Sequence, residues 1–253
     1  MFTFVYPAAA YTERLGLVNG GTSASPTYYP ANKIFRNRTK DENGNELIDY
    51  VDDQGRTILR RVQAVASPST INDTDYASTY YVYDDFGNLS CVLPPEATKA
   101  LATGYLNQTD ANKEVFLRRW AFRYRYDERG RMIRKQMPGA GQVIMVYDDL
   151  DRLVLTQDSV QRAKSPREWI FTKYDALGRP VLTGKYLNSG LYTTVKTAVA
   201  LYYNSLTATQ AWFESYVGSG GAILGYDNKS FPQTTVDADY LTATYYDKYD
   251  TYM

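Results

Sequence analysis

The sequence predicts an all-β fold built from consecutive antiparallel β-hairpins. Three observations carry that expectation. A short unit recurs along the chain: Tyr83-Asp-Asp-Phe-Gly-Asn-Leu89, Phe122-Arg-Tyr-Arg-Tyr-Asp-Glu-Arg-Gly-Arg-Met132, Tyr147-Asp-Asp-Leu-Asp-Arg-Leu153 and Tyr174-Asp-Ala-Leu-Gly-Arg179, with Tyr246-Asp-Lys-Tyr-Asp250 trailing. Residues ahead of each Asp alternate with a period of two, the β-strand period: Phe122, Tyr124 and Tyr126 fall on one face, Arg123 and Arg125 on the other. The composition, with 25 Tyr in 253 residues, suits sheets packed on one side and wet on the other. A unit that repeats with its turn chemistry intact points to a repeat architecture before a single pocket.

Each unit reads as strand, tight turn, strand. Asp at the first turn position accepts hydrogen bonds from turn amides, and Gly at the fourth takes positive φ without a Cβ clash. A type I turn followed by a left-handed residue is a common hairpin connection. Asp151 and Asp250 stand where Gly87, Gly130 and Gly178 stand in the other units. Asp is among the few residues that tolerate the left-handed region, so the substitution is one this turn permits. A degenerate copy, Tyr50-Val-Asp52-Asp-Gln-Gly55-Arg56, precedes them, and Asn43-Gly44 is an independent hairpin signal.

Taken in order, residues 1–33 are an irregular N-terminal segment. Met1 to Ala10 is apolar but has no basic start and is interrupted by Pro7, which reads as a strand of a longer protein rather than a signal peptide. Residues 34–186 hold the hairpins: three strands over Ile34 to Gln63, a polar connection over Ser67 to Thr74, and a hairpin over Tyr80 to Val92. A helical insertion is expected over residues 94–120, with Pro95 in a first turn and Thr109 or Asp110 as a cap. The cleanest run of hairpins spans Phe122 to Gly184. Residues 187–253 are expected to continue the repeat in a weaker form. Leu191 to Tyr203 fits a helix by spacing but is rich in Thr and Val, while Ala211 to Val217 and Leu241 to Tyr246 read as strands.

Composition excludes several chemistries. The chain has no His, which removes Ser-His-Asp and Cys-His nucleophiles and His metal sites. Its one cysteine, Cys91, rules out an intrachain disulfide. Net charge is zero, so no global field favours nucleic acid or an anionic membrane, and no apolar run is long enough for a membrane helix. The acidic pairs Asp52-Asp53, Asp84-Asp85 and Asp148-Asp149 sit at repeated turns, where one Asp caps and its neighbour is solvated. Catalytic carboxylates need a convergence that consecutive turn residues do not supply. Asp41 to Glu46 has its Gly at the wrong place for a calcium loop. The basic stretch from Arg118 to Lys135, interleaved with aromatics, reads as ion pairing on a sheet face rather than as a surface for single strands. No cofactor, metal or enzymatic activity is expected.

The Tyr-Asp-x-x-Gly-Arg-Leu units resemble the YD repeats of the RHS family, which includes bacterial RHS proteins, toxin-complex C components and the shells of animal teneurins. The resemblance covers roughly residues 34 to 186, with Leu93-Pro-Pro-Glu96 and Phe171 to Arg179 in a Bacteroidetes-type dialect. It implies a strongly curved sheet that forms part of a hollow shell around a C-terminal cargo, often a toxin. It also implies a secreted or surface-exposed bacterial protein, with flanking repeats or that cargo as partners on the same polypeptide. The residues it marks are architectural: Tyr83, Asp84, Gly87, Tyr126, Asp127, Gly130, Arg131, Tyr147, Asp148, Asp151, Tyr174, Asp175, Gly178 and Arg179. The family's self-cleaving Asp-Pro-x-Gly motif is missing from this sequence, so no catalytic residue is carried over. The alternative expectation is a surface module binding a glycan or protein through Tyr- and Arg-rich strands, which rests on fold-level analogy.

Overall fold

The computed structural model describes residues 33–66, 68, 75–100, 109–205, 212–234, 236 and 239–246. The readings made for the N-terminal strand, for most of the polar connection after Ser67, and for Asp247 and Asp250 lie outside these residues. Among the described residues there are twelve strands: β1 (Ile34–Lys40), β2 (Glu46–Asp52), β3 (Thr57–Gln63), β4 (Tyr76–Tyr83), β5 (Leu89–Leu93), β6 (Phe122–Tyr126), β7 (Met132–Gln136), β8 (Gln142–Tyr147), β9 (Leu153–Gln157), β10 (Glu168–Tyr174), β11 (Pro180–Leu187) and β12 (Tyr240–Ala243). They follow one another in chain order in one antiparallel sheet, so the all-β expectation holds. Four helices accompany them: α1 (Pro95–Ala100), α2 (Asp110–Trp120), α3 (Ser159–Ala163) and α4 (Tyr192–Asn204). The chain divides into two compact units, residues 1–130 with 135–141, and residues 131–134 with 142–253.

In the first unit the period of two shows in burial at β4, whereas β6, where the sequence carries it, is half-buried at every position but the exposed Arg125. In β4, Tyr76, Ser78, Tyr80 and Val82 are buried while their neighbours are half-exposed, as a period of two requires. The core joins Ile48, Leu59, Tyr80, Cys91 and Leu93 of the sheet to Ala97, Leu117 and Ala121 of the helical segment. That contact explains the helical insertion: it covers an apolar sheet face. Thr98 fixes α1 to the sheet by donating from Oγ1 to the Ser78 carbonyl (3.0 Å). Thr109 caps α2, its hydroxyl accepting from the Asn112 amide (3.3 Å). Burial pushes the Cys91 thiol up to about 12, which makes it an inert core residue.

In the second unit Trp169 and Phe171 of β10 are fully buried with Ile144, Val146, Val154 and Leu155. Helix α4 lays Val195, Val199 and Tyr203 on this cluster, one stripe at a spacing of four. Its β-branched residues lower helix propensity, and packing of that stripe outweighs the loss, since each buried Val or Leu contributes about 1.5–3 kcal/mol. The segment after α4 corrects the sequence reading. Residues 212–217 form no strand and hold only an isolated bridge, Tyr216 to Tyr226. The backbone turns there because Trp212 stacks on Tyr203 (4.3 Å between centroids) and the Glu214 side chain is drawn into the core. The last strand is also shorter than expected, ending at Ala243.

Candidate functional site

The recurring turn residues assemble into a latch. In the Asp84 turn, the Asp84 amide donates to the Asn88 carbonyl (2.8 Å), and the Gly87 amide to the Asp84 carbonyl (3.0 Å). Asp84 Oδ1 accepts from the amides of Phe86 (3.0 Å) and Asn88 (2.8 Å). The Asp148 turn repeats this with Leu150 (3.0 Å) and Arg152 (2.9 Å), and the Asp175 turn with Leu177 (2.9 Å) and Arg179 (2.8 Å). Asp127 accepts from the Arg129 amide (3.0 Å). The fourth position is left-handed throughout: φ is 84° at Gly87, 73° at Gly130, 75° at Gly178 and 63° at Asp151. Asp151 thus occupies the glycine position by tolerance of the left-handed region.

The residue after that position completes the device. The guanidinium of Arg152 binds Asp148 Oδ2 through Nε (2.7 Å), and Arg179 binds Asp175 the same way (2.7 Å). Asn88 does this job for Asp84 (3.2 Å). Arg131 reaches across to the next turn, donating to the Asp148 carbonyl (2.9 Å) and to Asp151 Oδ1 (2.8 Å). Each arginine also lies over the tyrosine of the following unit: Arg56 over Tyr83 (4.8 Å), Arg131 over Tyr147 (5.0 Å), Arg152 over Tyr174 (5.2 Å) and Arg179 over Tyr246 (4.2 Å).

The tyrosines close the latch. Each phenol donates to the carbonyl that opens the strand after the preceding turn: Tyr83 to Thr57 (3.0 Å), Tyr126 to Leu89 (3.0 Å), Tyr147 to Met132 (2.9 Å), Tyr174 to Leu153 (2.7 Å) and Tyr246 to Pro180 (3.1 Å). Burial raises the pKa of the Tyr83, Tyr126 and Tyr174 phenols, so they stay protonated donors. The predicted site residues therefore meet as neighbouring pairs along the chain, each hairpin fastened to the one before. Sequence reading found the residues but not the arginine-over-tyrosine stacking or the phenol acceptors, since both are cross-unit relations. The basic stretch is likewise committed to pairing: Arg123 binds both oxygens of Glu114 (2.7 and 2.9 Å), and Arg119 lies over Trp120.

A second polar cluster lies in the core of the second unit, and sequence reading missed it. Lys173 and Glu214 both have fully buried side chains and pair at 3.0 Å. Lys173 Nζ also donates to Asn228 Oδ1 (2.5 Å). Glu214 Oε1 accepts from the Ser230 amide (2.9 Å) and hydroxyl (2.5 Å), and Oε2 from the Lys229 amide (3.2 Å). The Tyr240 phenol lies within hydrogen-bonding distance of Asn228 Oδ1 (3.1 Å) and of the Thr234 carbonyl (3.0 Å). Burial pulls the Lys173 pKa down, against the pull of Glu214. One signal was available: Lys173 falls in phase with Trp169 and Phe171 on the buried face of its strand. Beside the last latch, a cleft of about 250 Å³ is lined by Arg179, Glu214, Tyr216, Tyr226 and Tyr246.

No protein-family model matches the chain. A curated relative, Salivary gland surface protein 1 of Aedes aegypti, is 27% identical over 161 residues, which is 62% of this chain and 4% of that protein. Among solved structures, a Photorhabdus luminescens Tc holotoxin pore with a TccC3 variant is 18% identical over 60% of this chain and 6% of that one, with a TM-score of 0.40. A TcdB2-TccC3-TEV assembly is 17% identical over 61% of this chain and 8% of its own, with a TM-score of 0.41. The chain thus spans a small fraction of the proteins it matches.

Proposed function

We propose that this chain is a non-enzymatic structural segment of an RHS-type shell that encloses or presents a C-terminal cargo such as a toxin. The observation that carries the reading is the latch. Five tyrosines among the described residues fasten one hairpin to the preceding one, and the polar groups of the motif are spent on each other. Such residues do not converge on a shared point where a substrate could react. A wall that must hold its form around a cargo needs repeat-to-repeat fastening of this kind. In this reading the flanking repeats and the cargo belong to the same polypeptide, which is secreted or displayed at the cell surface.

The test is electron cryomicroscopy of the complete polypeptide encoded at the source locus, with limited proteolysis beside it. The reading expects a closed wall containing this segment and a C-terminal part that resists protease until the wall is opened by denaturant. An open sheet with a protease-sensitive C-terminal part would overturn it.

One observation favours a second reading, a surface module that binds a protein or glycan. Three turn tips display large apolar side chains: Phe86 is 92% exposed, Leu177 77% and Leu150 56%. Exposed apolar residues at ordered tips are a means of recognition. The tips, rather than the Tyr- and Arg-rich strands, would then carry binding, because the strand tyrosines and arginines are occupied in latches. Partner or glycan binding that is lost on replacing Phe86 and Leu177 with Ser would place this reading first.

A further inference from the structure

The cluster around Lys173 has more in it than an ion pair needs. Lys173 Nζ touches a carboxylate and a carboxamide at once, Glu214 Oε1 at 3.0 Å and Asn228 Oδ1 at 2.5 Å. The rings of Phe171 and Tyr240 stand 5.8 and 6.0 Å from the nitrogen. The Asn228 carboxamide is held at both ends, its Nδ2 donating to the Thr234 carbonyl (2.9 Å) and its Oδ1 facing the Tyr240 phenol (3.1 Å). Asn228 sits at φ 53°, a conformation open to Asn and costly for most other residues. The whole set is buried: Lys173 is 1% exposed, Glu214 2% and Asn228 7%.

We propose that Lys173 and Asn228 become joined by an intramolecular isopeptide bond, formed when Lys173 Nζ attacks the Asn228 side-chain amide carbon and ammonia leaves. Four requirements of that reaction are met by separate observations. The first is approach. The amide carbon lies about 1.2 Å behind its oxygen, so the amine is within at most about 3.7 Å of it, close to a near-attack distance. The second is a neutral nucleophile, and the enclosure that lowers the Lys173 pKa favours the free amine. The third is a base, and Glu214 stands 3.0 Å from the nitrogen whose protons must leave. The fourth is a donor for the oxygen that gains charge, which the Tyr240 hydroxyl supplies at 3.1 Å.

The step balances without an oxidant or a co-reactant. Glu214 takes a proton from the Lys173 ammonium. The amine lone pair forms the new N–C bond while the carbonyl electron pair moves onto Oδ1. The tetrahedral centre collapses as the C–Nδ2 bond breaks, with Glu214 passing a proton to the departing nitrogen and receiving one from Lys173. Ammonia then takes the last proton and departs as ammonium, leaving Glu214 a carboxylate. The product is a neutral amide where the Lys173 charge stood, while the Glu214 carboxylate keeps the Ser230 amide and hydroxyl and the Lys229 amide as donors. The exclusion of water disfavours the competing hydrolysis of Asn228. The bond would close a loop between residues 55 apart in sequence, tying β10 to the segment that follows α4. This inference stands whether or not the chain forms part of a shell.

The test is mass spectrometry of the purified 253-residue protein, intact and after trypsin, under denaturing conditions. The expected intact mass is below the sequence mass by about 17 Da, one ammonia. Trypsin is expected to skip Lys173 and to yield a branched peptide containing Lys173 and Asn228. Glu214→Gln keeps the size of the side chain but not its basicity, and should slow formation of the branched peptide by about a hundredfold or more. Lys173→Arg should show the full sequence mass. A full mass with linear peptides at both positions overturns the proposal. So does a mass deficit with linear peptides, which would instead mark cyclisation of an asparagine such as Asn43. The decisive measurement is made on the unaltered protein, so failure of a variant to fold does not remove it.

Discussion

The latches and the Lys173 cluster use similar side chains in opposite ways. A latch is local and repeated: an Asp caps its own turn, an Arg bridges to the next Tyr, and the Tyr returns to a carbonyl. Most of its groups are partly exposed, the buried Asp148 excepted, and losing one loosens one junction. The Lys173 cluster is single and convergent. It brings together the buried Lys173, Glu214, Asn228 and Ser230 with the half-buried Tyr240, each dependent on the others for its polar partners. Repetition with exposure makes a tolerant joint, and convergence with burial makes an intolerant one. That difference separates the part of the chain that can be extended by further repeats from the part that must be built once.

Removing one member of the buried cluster is the strongest way to break the comparison. Glu214→Ala removes the base on which the proposed bond depends, so Lys173 stays an unbonded amine without its carboxylate, and three donors, the Lys229 and Ser230 amides and the Ser230 hydroxyl, lose their acceptor. Breaking a buried pair in this way costs about 3–5 kcal/mol. Urea unfolding should show the loss in the midpoint, and a change below about 1 kcal/mol would mean that the cluster does not order the segment after α4. Next in size is Asp148→Ala. The Asp148 side chain is fully buried against Arg152, and its loss takes the acceptor from two turn amides and from Arg152 Nε, for about 2–3 kcal/mol, while the guanidinium keeps the Trp212 carbonyl. Asp84→Ala, whose partner is the neutral Asn88, should cost about 1–2 kcal/mol. Equal losses at the two turns would show that the arginine adds nothing to the latch.

The latches were legible in the sequence and the cluster was not, and the reason is range. Asp84, Asp148 and Asp175 act on residues two and four positions on, and Asp127 on Arg129 two positions on, so spacing alone exposes their role. The period of two gave the strands, and Asp151 announced its left-handed conformation by replacing a glycine. The stacking of Arg179 on Tyr246 joins separate units, and only the pairing of strands brings them together. Lys173 meets Glu214 and Asn228 across 41 and 55 residues, through a segment with no repeat and little periodicity. Helix α4 was obscured by its Thr and Val residues, because propensity is local while the apolar surface that holds the helix is supplied by β8, β9 and β10. Residues 212–217 looked like a strand for the same reason: their aromatic residues serve a core rather than a ladder.

Glycines sharpen the comparison at smaller cost. Gly130 has open space where a Cβ would go, but its φ of 73° suits few other residues. Gly130→Val therefore tests backbone strain alone and should cost about 1–3 kcal/mol. Glu128→Ala, at an exposed place in the same turn, should stay within about 0.5 kcal/mol. Equal melting temperatures for these two variants would remove the left-handed account of the turn.

Acid should test the charge within the Asp175 latch, with the smallest effect of all. Burial alone would raise the Asp175 pKa, but the Arg179 amide and guanidinium and the Leu177 amide outweigh it and hold the carboxyl below its ordinary value of 3.8. The folded state then binds fewer protons than the unfolded state in the interval between the two values. The stabilisation from this latch is complete above the unfolded value and is lost as pH falls through the folded one. Asp175→Asn keeps an oxygen for the two amides but gives up the charge that Arg179 grips. Its stability should change less than that of the unaltered protein between pH 5 and about pH 3. Hydrogen exchange followed at this turn over the same range reads the effect directly: protection should fall in the unaltered protein and hold in Asp175→Asn, and a parallel fall in both would remove the charge from the account of the latch.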